Sequence, residues 1–201
     1  MNSFDNAAFF ASAYQLAELP PDSGAEVAFA GRSNVGKSSA INALTNRTRL
    51  AFSSKTPGRT QTINFFALGN GRYLVDLPGY GYAAVAADTR NHWGLVVSTY
   101  LRQRNCLNGL VVLMDARHPM TASDRQLIDW FAPTGRGIHI LLTKADKLRP
   151  AAGRRVLRDV SAQLPRHHSH CTAQLFSSRL KEGVDEARAV VAGWLDPAAI
   201  R

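Results

Sequence analysis

Apolar positions along this chain fall into short runs separated by amphipathic or polar stretches. Val27-Ala28-Phe29-Ala30, residues 109–115 and residues 137–142 are runs without alternation, as strands buried on both faces require. Residues 61–68 alternate imperfectly and predict another strand. Gly69-Asn70-Gly71 then signals a hairpin, and residues 72–76 form the antiparallel return strand. Between these lie helical spacings. In 89–104 the spacing is carried by Trp93, Val96, Val97, Tyr100 and Leu101, and in 121–132 by Leu127, Ile128, Trp130 and Phe131. Residues 151–164 predict a helix, 173–176 a last strand, and 181–195 a closing helix with Val184, Val190, Val191 and Trp194. Strands alternating with helices predict an α/β domain built on a largely parallel sheet.

Two stretches fall outside this alternation. Residues 1–24 carry Phe4, Phe9, Phe10, Tyr14, Leu16 and Leu19, and end in a Pro-Pro and Ser-Gly turn. They are expected to form an N-terminal extension packed on a single domain spanning 25–201. Residues 45–60 are polar, basic and broken by Pro57-Gly58, and a loop of that length inside a domain usually carries function.

Composition narrows the classes. The chain has 201 residues, 45% of them hydrophobic, which suits one domain with a substantial core. No apolar run approaches the roughly 20 residues that span a bilayer, and no cation precedes Arg32, so no membrane association and no signal peptide are expected. Cys106 and Cys171 form no paired pattern and read as free thiols of a cytoplasmic protein. The net charge of +9 is unevenly spread. Val27 to Val75 contains no acidic residue but holds Arg32, Lys37, Arg47, Arg49, Lys55, Arg59 and Arg72. A second block holds Arg149, Arg154, Arg155, Arg158 and Arg166 against Asp159 alone. Two such blocks point to a polyanionic partner.

The chemistry begins at Gly31-Arg32-Ser33-Asn34-Val35-Gly36-Lys37-Ser38, a G-x-x-x-x-G-K-[ST] phosphate loop set between an expected strand and helix. Gly31 and Gly36 allow close approach of the backbone to phosphate. The loop N–H groups face the polyphosphate, Lys37 adds charge at the β/γ-phosphates, and the Ser38 hydroxyl suits Mg²⁺. Asp76-Leu77-Pro78-Gly79 follows at a strand end, where a carboxylate can hold Mg²⁺ through water and a glycine N–H can meet the γ-phosphate. Thr143-Lys144-Ala145-Asp146 closes another strand. A carboxylate at Asp146 can accept both N1–H and the 2-amino group of guanine, which adenine does not offer in that arrangement. Phe176-Ser177-Ser178 fits the remaining guanine-binding element, in which a backbone N–H meets O6.

The residues GRSNVGKSS at 31–39, KTPGRTQT at 55–62, DLPGYGYA at 76–83, TKAD at 143–146 and FSS at 176–178 resemble, in order and across nearly the whole chain, the EngB (YihA/YsxC) family of GTPases. The resemblance implies a Ras-like P-loop fold: a six-stranded, mostly parallel sheet with one antiparallel strand and helices on both faces. It implies GTP and GDP as ligands with Mg²⁺ held directly by Ser38 and Thr60 and through water by Asp76. Gly58, Arg59, Thr60, Gln61 and Thr62 would form switch I, and Asp76 and Gly79 would anchor switch II. Lys37, Thr60, Gly79 and Asn34 would carry catalysis. It further implies assistance to assembly of the large ribosomal subunit, contact with its RNA, an effect on cell division, and a monomer. Tyr80 stands where Ras-type enzymes place the glutamine that orients the attacking water, so slow intrinsic turnover is expected. Asn34 lies where related G domains hold K⁺; it either ligates that ion or only braces the loop. Two rivals stand beside the switch: an RNA-binding assembly module with GTP as a structural ligand, and a P-loop kinase, which the motif order disfavours.

Overall fold

The computed structural model describes residues 3–52, 62–80, 87–164 and 170–196, with backbone alone at Ser3 and 87–93. Gly58, Arg59, Thr60 and Gln61, together with Lys55, the end of DLPGYGYA, Arg166 and the side chain of Trp93, therefore lie outside the described residues.

The unalternating apolar runs become the sheet centre. β2 (Ala25–Gly31) and β6 (Gly137–Thr143) are buried at every position, and β5 (Leu107–Asp115) lies between them with all three parallel. β3 (Ile63–Gly69) and β4 (Arg72–Asp76) form the expected hairpin, with Asn64 opposite Asp76. β7 (Cys171–Leu175) closes one edge beside β6. Among the described residues the sheet has seven strands, not six. β1 (Ala8–Ala13), from the N-terminal extension, pairs antiparallel with β3, giving the order β1-β3-β4-β2-β5-β6-β7. Only β3 runs against the others, as expected.

Helices cover both faces. α1 (Lys37–Leu44) and α5 (Val184–Leu195) bury Ile41, Leu44, Val184 and Val191 against Val27, Phe29 and Leu113. α2 (Ala87–Gln103), α3 (Ala122–Phe131) and α4 (Pro150–Gln163) bury Val96, Tyr100, Ile128, Phe131 and Val160 against Val112, Ile140 and Leu142. α5 starts three residues later than the spacing predicts. Ser177 bridges to Glu182, and Gly183, with φ 73°, forms its N-cap.

The strand ends that carry the motifs are held from below. Glu26 at the start of β2 is buried, and its carboxylate receives the Tyr100 hydroxyl at 2.8 Å and Arg104 Nη2 at 2.5 Å. Arg104 also donates to the Pro20 and Pro21 carbonyls, so one guanidinium ties α2, β2 and the entering turn together. Removing one member of a buried pair of this kind costs about 3–5 kcal/mol.

Candidate nucleotide-binding site

β2 feeds the phosphate loop, and α1 begins at Lys37. A side chain at Gly31 would put a Cβ 2.8 Å from Val35 Cγ1 and 3.0 Å from the Leu113 carbonyl oxygen, so only glycine fits. Gly36 caps α1 with φ 103°, and Asn34 is also left-handed, with φ 60°. These turns aim the loop N–H groups and the start of α1 into the site, where partial positive charge gathers.

Lys37 Nζ is paired with Asp76 Oδ1, joining the phosphate loop to the end of β4. Burial pushes the Asp76 carboxyl up, and the Lys37 charge opposes that rise. Past Asp76, the chain runs alongside the phosphate loop. Leu77 N donates to the Phe29 carbonyl at 3.0 Å and Tyr80 N to the Gly31 carbonyl at 3.2 Å. Gly79 sits so close that an added Cβ would lie 3.0 Å from Ser33 Oγ. The Tyr80 hydroxyl turns away toward α3 and donates to Asp124.

The third motif is locked onto the first. The Thr143 hydroxyl donates to the Val35 carbonyl at 2.6 Å and lies 3.1 Å from that of Met114. Thr143 thus keeps a buried donor on the phosphate loop. Lys144, left-handed with φ 58°, donates Nζ to the Asn34 carbonyl at 2.8 Å and meets Asp115 Oδ2 at 3.0 Å. Arg117, and then Lys144, hold the Asp115 carboxyl well below the usual carboxylate range. Ala145 N donates to the Phe176 carbonyl at 3.2 Å, which brings the fourth motif alongside. Buried Ser177 donates its hydroxyl to Asp146 Oδ1 at 2.8 Å, while its N–H goes to the Glu182 carbonyl.

A cavity of about 610 Å³ is lined by Gly36, Thr143, Asp146 and Ser178, together with the basic residues Arg47, Arg179 and Lys181. The structure brings together the sequence-marked residues of 31–38, 76–79, 143–146 and 176–178. Thr62 stands apart at the mouth of β3, its hydroxyl on Asn64 Oδ1 at 3.1 Å.

Sequence reasoning missed several residues that shape the site. Asn42 on α1 uses its whole amide on the following loop, accepting from Leu50 N and Ala51 N at 3.0 and 2.8 Å and donating to the Ala51 carbonyl at 2.8 Å. Asp115, Arg117 and Asp124 were equally silent. Asp115 and Arg117 pair locally and Asp124 caps α3 with Thr121, but the contacts that tie them to the site, with Lys144 and Tyr80, are distant in sequence.

A family model described as "50S ribosome-binding GTPase" matches residues 26–144. "Probable GTP-binding protein EngB" of Azoarcus sp. is 58% identical over 200 residues, spanning 99% of this chain and 96% of its own. The protein of that name from Methylobacillus flagellatus is 56% identical over 195 residues, spanning 97% and 94%. A crystal structure of a probable GTP-binding protein engB shares the fold with a TM-score of 0.69 at 18% identity, over 85% of this chain and 98% of that one.

Proposed function

Because the chain belongs to the EngB family of GTP-binding proteins, we propose that it is a GTP-hydrolysing switch that docks on the large ribosomal subunit during its assembly. The observation that carries this reading is the convergence of motif residues from the turns after β2, β6 and β7 on one cavity, with Asp76 at the end of β4 joined to the phosphate loop through Lys37.

In this reading residues 31–38 cradle the phosphates, and Lys37 leaves Asp76 for the β/γ-phosphate oxygens. The buried Asp76 oxygens, beside the helix that starts with Lys37 and Ser38, suit a hard cation such as Mg²⁺. Ser38 and Thr60 would hold it directly and Asp76 through water, and it would neutralise charge on the phosphates. Gly79 would sense the γ-phosphate. Asp146, oriented by Ser177, would read the guanine, and Ser178 is the residue of its element with a main-chain N–H left for O6. Lys144 would cover the base while its ammonium stays on Asn34. K⁺ beside the exposed Asn34 would add positive charge near the phosphates.

Docking would use the two basic blocks. Arg154, Arg155 and Arg158 are exposed on α4, and among the described residues Asp159 alone pairs with the latter two, at 3.7 and 3.9 Å. Arg47 and Arg49 are exposed at the entry to switch I. The first patch would act in every nucleotide state and the second mainly with GTP. Cytoplasmic residence and a role in cell division, through subunit supply, go with this reading; among the described residues no helix is long and apolar enough to cross a membrane. The test is co-sedimentation with purified large subunits across a salt series, with a GTP analogue and GDP in parallel. Affinity should fall steeply with salt and be greater with the analogue. Binding that ignores both salt and nucleotide would overturn the reading. The engagement of Tyr80 with Asp124 favours one alternative, in which turnover is incidental and GTP is mainly a structural ligand of an RNA-binding module.

A further inference from the structure

Phe52 is the most exposed of the large hydrophobic side chains among the described residues, at 72%. Phe9 and Phe10, also exposed, lie against aromatic neighbours, Phe66 at 6.3 Å and Tyr73 at 5.1 Å between ring centroids. Among the described residues no ring lies against Phe52. Single exposed apolar residues are common and usually carry no meaning. Phe52 differs because the backbone leading to it is fixed. Asn42 holds the Leu50 N–H, the Ala51 N–H and the Ala51 carbonyl, and Ala51 itself is buried. The pinned backbone delivers Phe52 to solvent.

The surroundings choose the partner. Arg47 and Arg49 are exposed a few residues upstream, within a stretch that contains no acidic residue from Val27 to Val75. Arg47 is itself anchored, with Nη2 donating to the Asp5 carbonyl at 3.0 Å. An exposed aromatic ring a few residues along the chain from two exposed cations, one of them anchored, matches the chemistry that binds unpaired nucleotides: stacking on a base face and charge for its phosphates. An apolar protein partner would leave those cations unmatched.

We infer that Phe52 is a stacking platform for an unpaired base of ribosomal RNA, with Arg47 and Arg49 on the flanking phosphates. This rests on the docking reading above. It makes the threshold of switch I an RNA contact in its own right. A base stacked on Phe52 bears on the chain that leads straight to Thr60.

The experiment is co-sedimentation of the full chain, loaded with a GTP analogue, with purified large subunits. Phe52→Ala, Phe52→Trp, Phe52→Leu and Arg47→Ala/Arg49→Ala are compared with the wild type. Phe52→Ala should keep its melting temperature, since the ring is exposed, and weaken binding by about 5- to 100-fold. Phe52→Trp should restore binding and Phe52→Leu should not. The double arginine variant should flatten the salt slope by about one to two. Phe52→Ala binding within twofold of wild type would overturn the inference and leave the docking reading standing. Phe52→Leu binding as well as wild type would overturn it in favour of an apolar protein contact. Wild type that fails to bind at any salt would overturn the docking reading, and this inference with it.

Discussion

The hydroxyl of Tyr80 donates to Oδ1 of Asp124 at 2.7 Å, joining the residue after Gly79 to the first turn of α3. The other Asp124 oxygen accepts from Thr121 N and Oγ1, closing the α3 capping box. Burial, and then the Asp124 charge, pushes the Tyr80 phenol far up, so it stays a neutral donor. A side chain committed this way does not orient water at the phosphates. Tyr80→Phe should therefore leave turnover within about twofold while costing about 1–2 kcal/mol of stability, the loss of one hydrogen bond to a buried carboxylate. A hundredfold fall in kcat at unchanged KM would make Tyr80 catalytic after all.

The Lys37–Asp76 pair sets up a competition. An ammonium held by a carboxylate must be released before it can meet phosphate. Asp76→Asn should therefore bind GDP at least as tightly as wild type in EDTA, and gain less from added Mg²⁺. Its turnover should fall by about 100-fold or more. Titration with a fluorescent GDP analogue, with and without Mg²⁺, reads this directly. An equal loss of affinity in both conditions would show that the pair does not compete with the nucleotide.

Asp146 is proposed to read the base, and Ser177 orients its carboxylate. Asp146→Asn should weaken GTP and favour xanthosine triphosphate, whose 2-oxygen suits an amide donor. Ser177→Ala frees the carboxylate from its orienting hydroxyl and the Leu180 N–H from its acceptor but places no new donor at the base, so GTP should weaken about 5- to 10-fold with no gain for the xanthine nucleotide. Competition binding with the two triphosphates separates these outcomes. A xanthine gain in Ser177→Ala would reassign specificity to the serine.

Potassium dependence tests Asn34. Turnover should be faster in KCl than in NaCl at equal ionic strength, and Asn34→Ala should remove the difference. Lys144 grips the main-chain carbonyl of Asn34, so the loop should survive the substitution. Equal wild-type rates in both salts would leave Asn34 as a brace alone.

His139 supplies a pH dependence. It lies buried in β6, with Nδ1 2.7 Å from Thr172 Oγ1 and Nε2 2.8 Å from Gln174 Oε1. Burial lowers its proton affinity, and the Gln174 contact opposes this only in part. The folded protein therefore takes up this proton less readily than the unfolded chain. The stability it contributes is complete above the ordinary histidine value of 6.5 and is lost as pH falls below it. The loss cannot exceed about 1.4 kcal/mol per pH unit. Melting curves from pH 7.5 to 5.5 should show wild type falling faster than His139→Gln, so that the gap between them narrows. Parallel curves would remove His139 as the source.

The parts of the site that were legible are those whose chemistry is local. A phosphate loop declares itself because two glycines, a lysine and a serine must sit at fixed spacing. The carboxylate of Asp146, proposed to read guanine, follows its strand directly. β1 was not legible as a strand because Phe9 and Phe10 do not alternate: a register shift between Phe9 and Ala11 lets both rings find aromatic neighbours. The part played by Thr143 was not legible because its hydroxyl meets Val35, far away in the chain. Asn42 carried no signal, since its amide is explained only by the backbone it meets in space, and the local capping role of Asp124 gives no hint of the Tyr80 phenol on its other oxygen.

Asn64 mirrors Asn42. It receives the Ser12 and Thr62 hydroxyls at 2.8 and 3.1 Å, and its strand is gripped by β1 on one side and β4 on the other. The chain between Ala51 and Ile63 is thus moored at both ends, and its tether lengths are set by counting residues. Thr60 lies three residues from the mooring at Ile63 and can reach no more than about 10 Å from it. Phe52 is one residue from the other mooring and is almost without slack. The threonine proposed to hold magnesium and the exposed ring thus belong to one segment whose two ends are fixed to the fold.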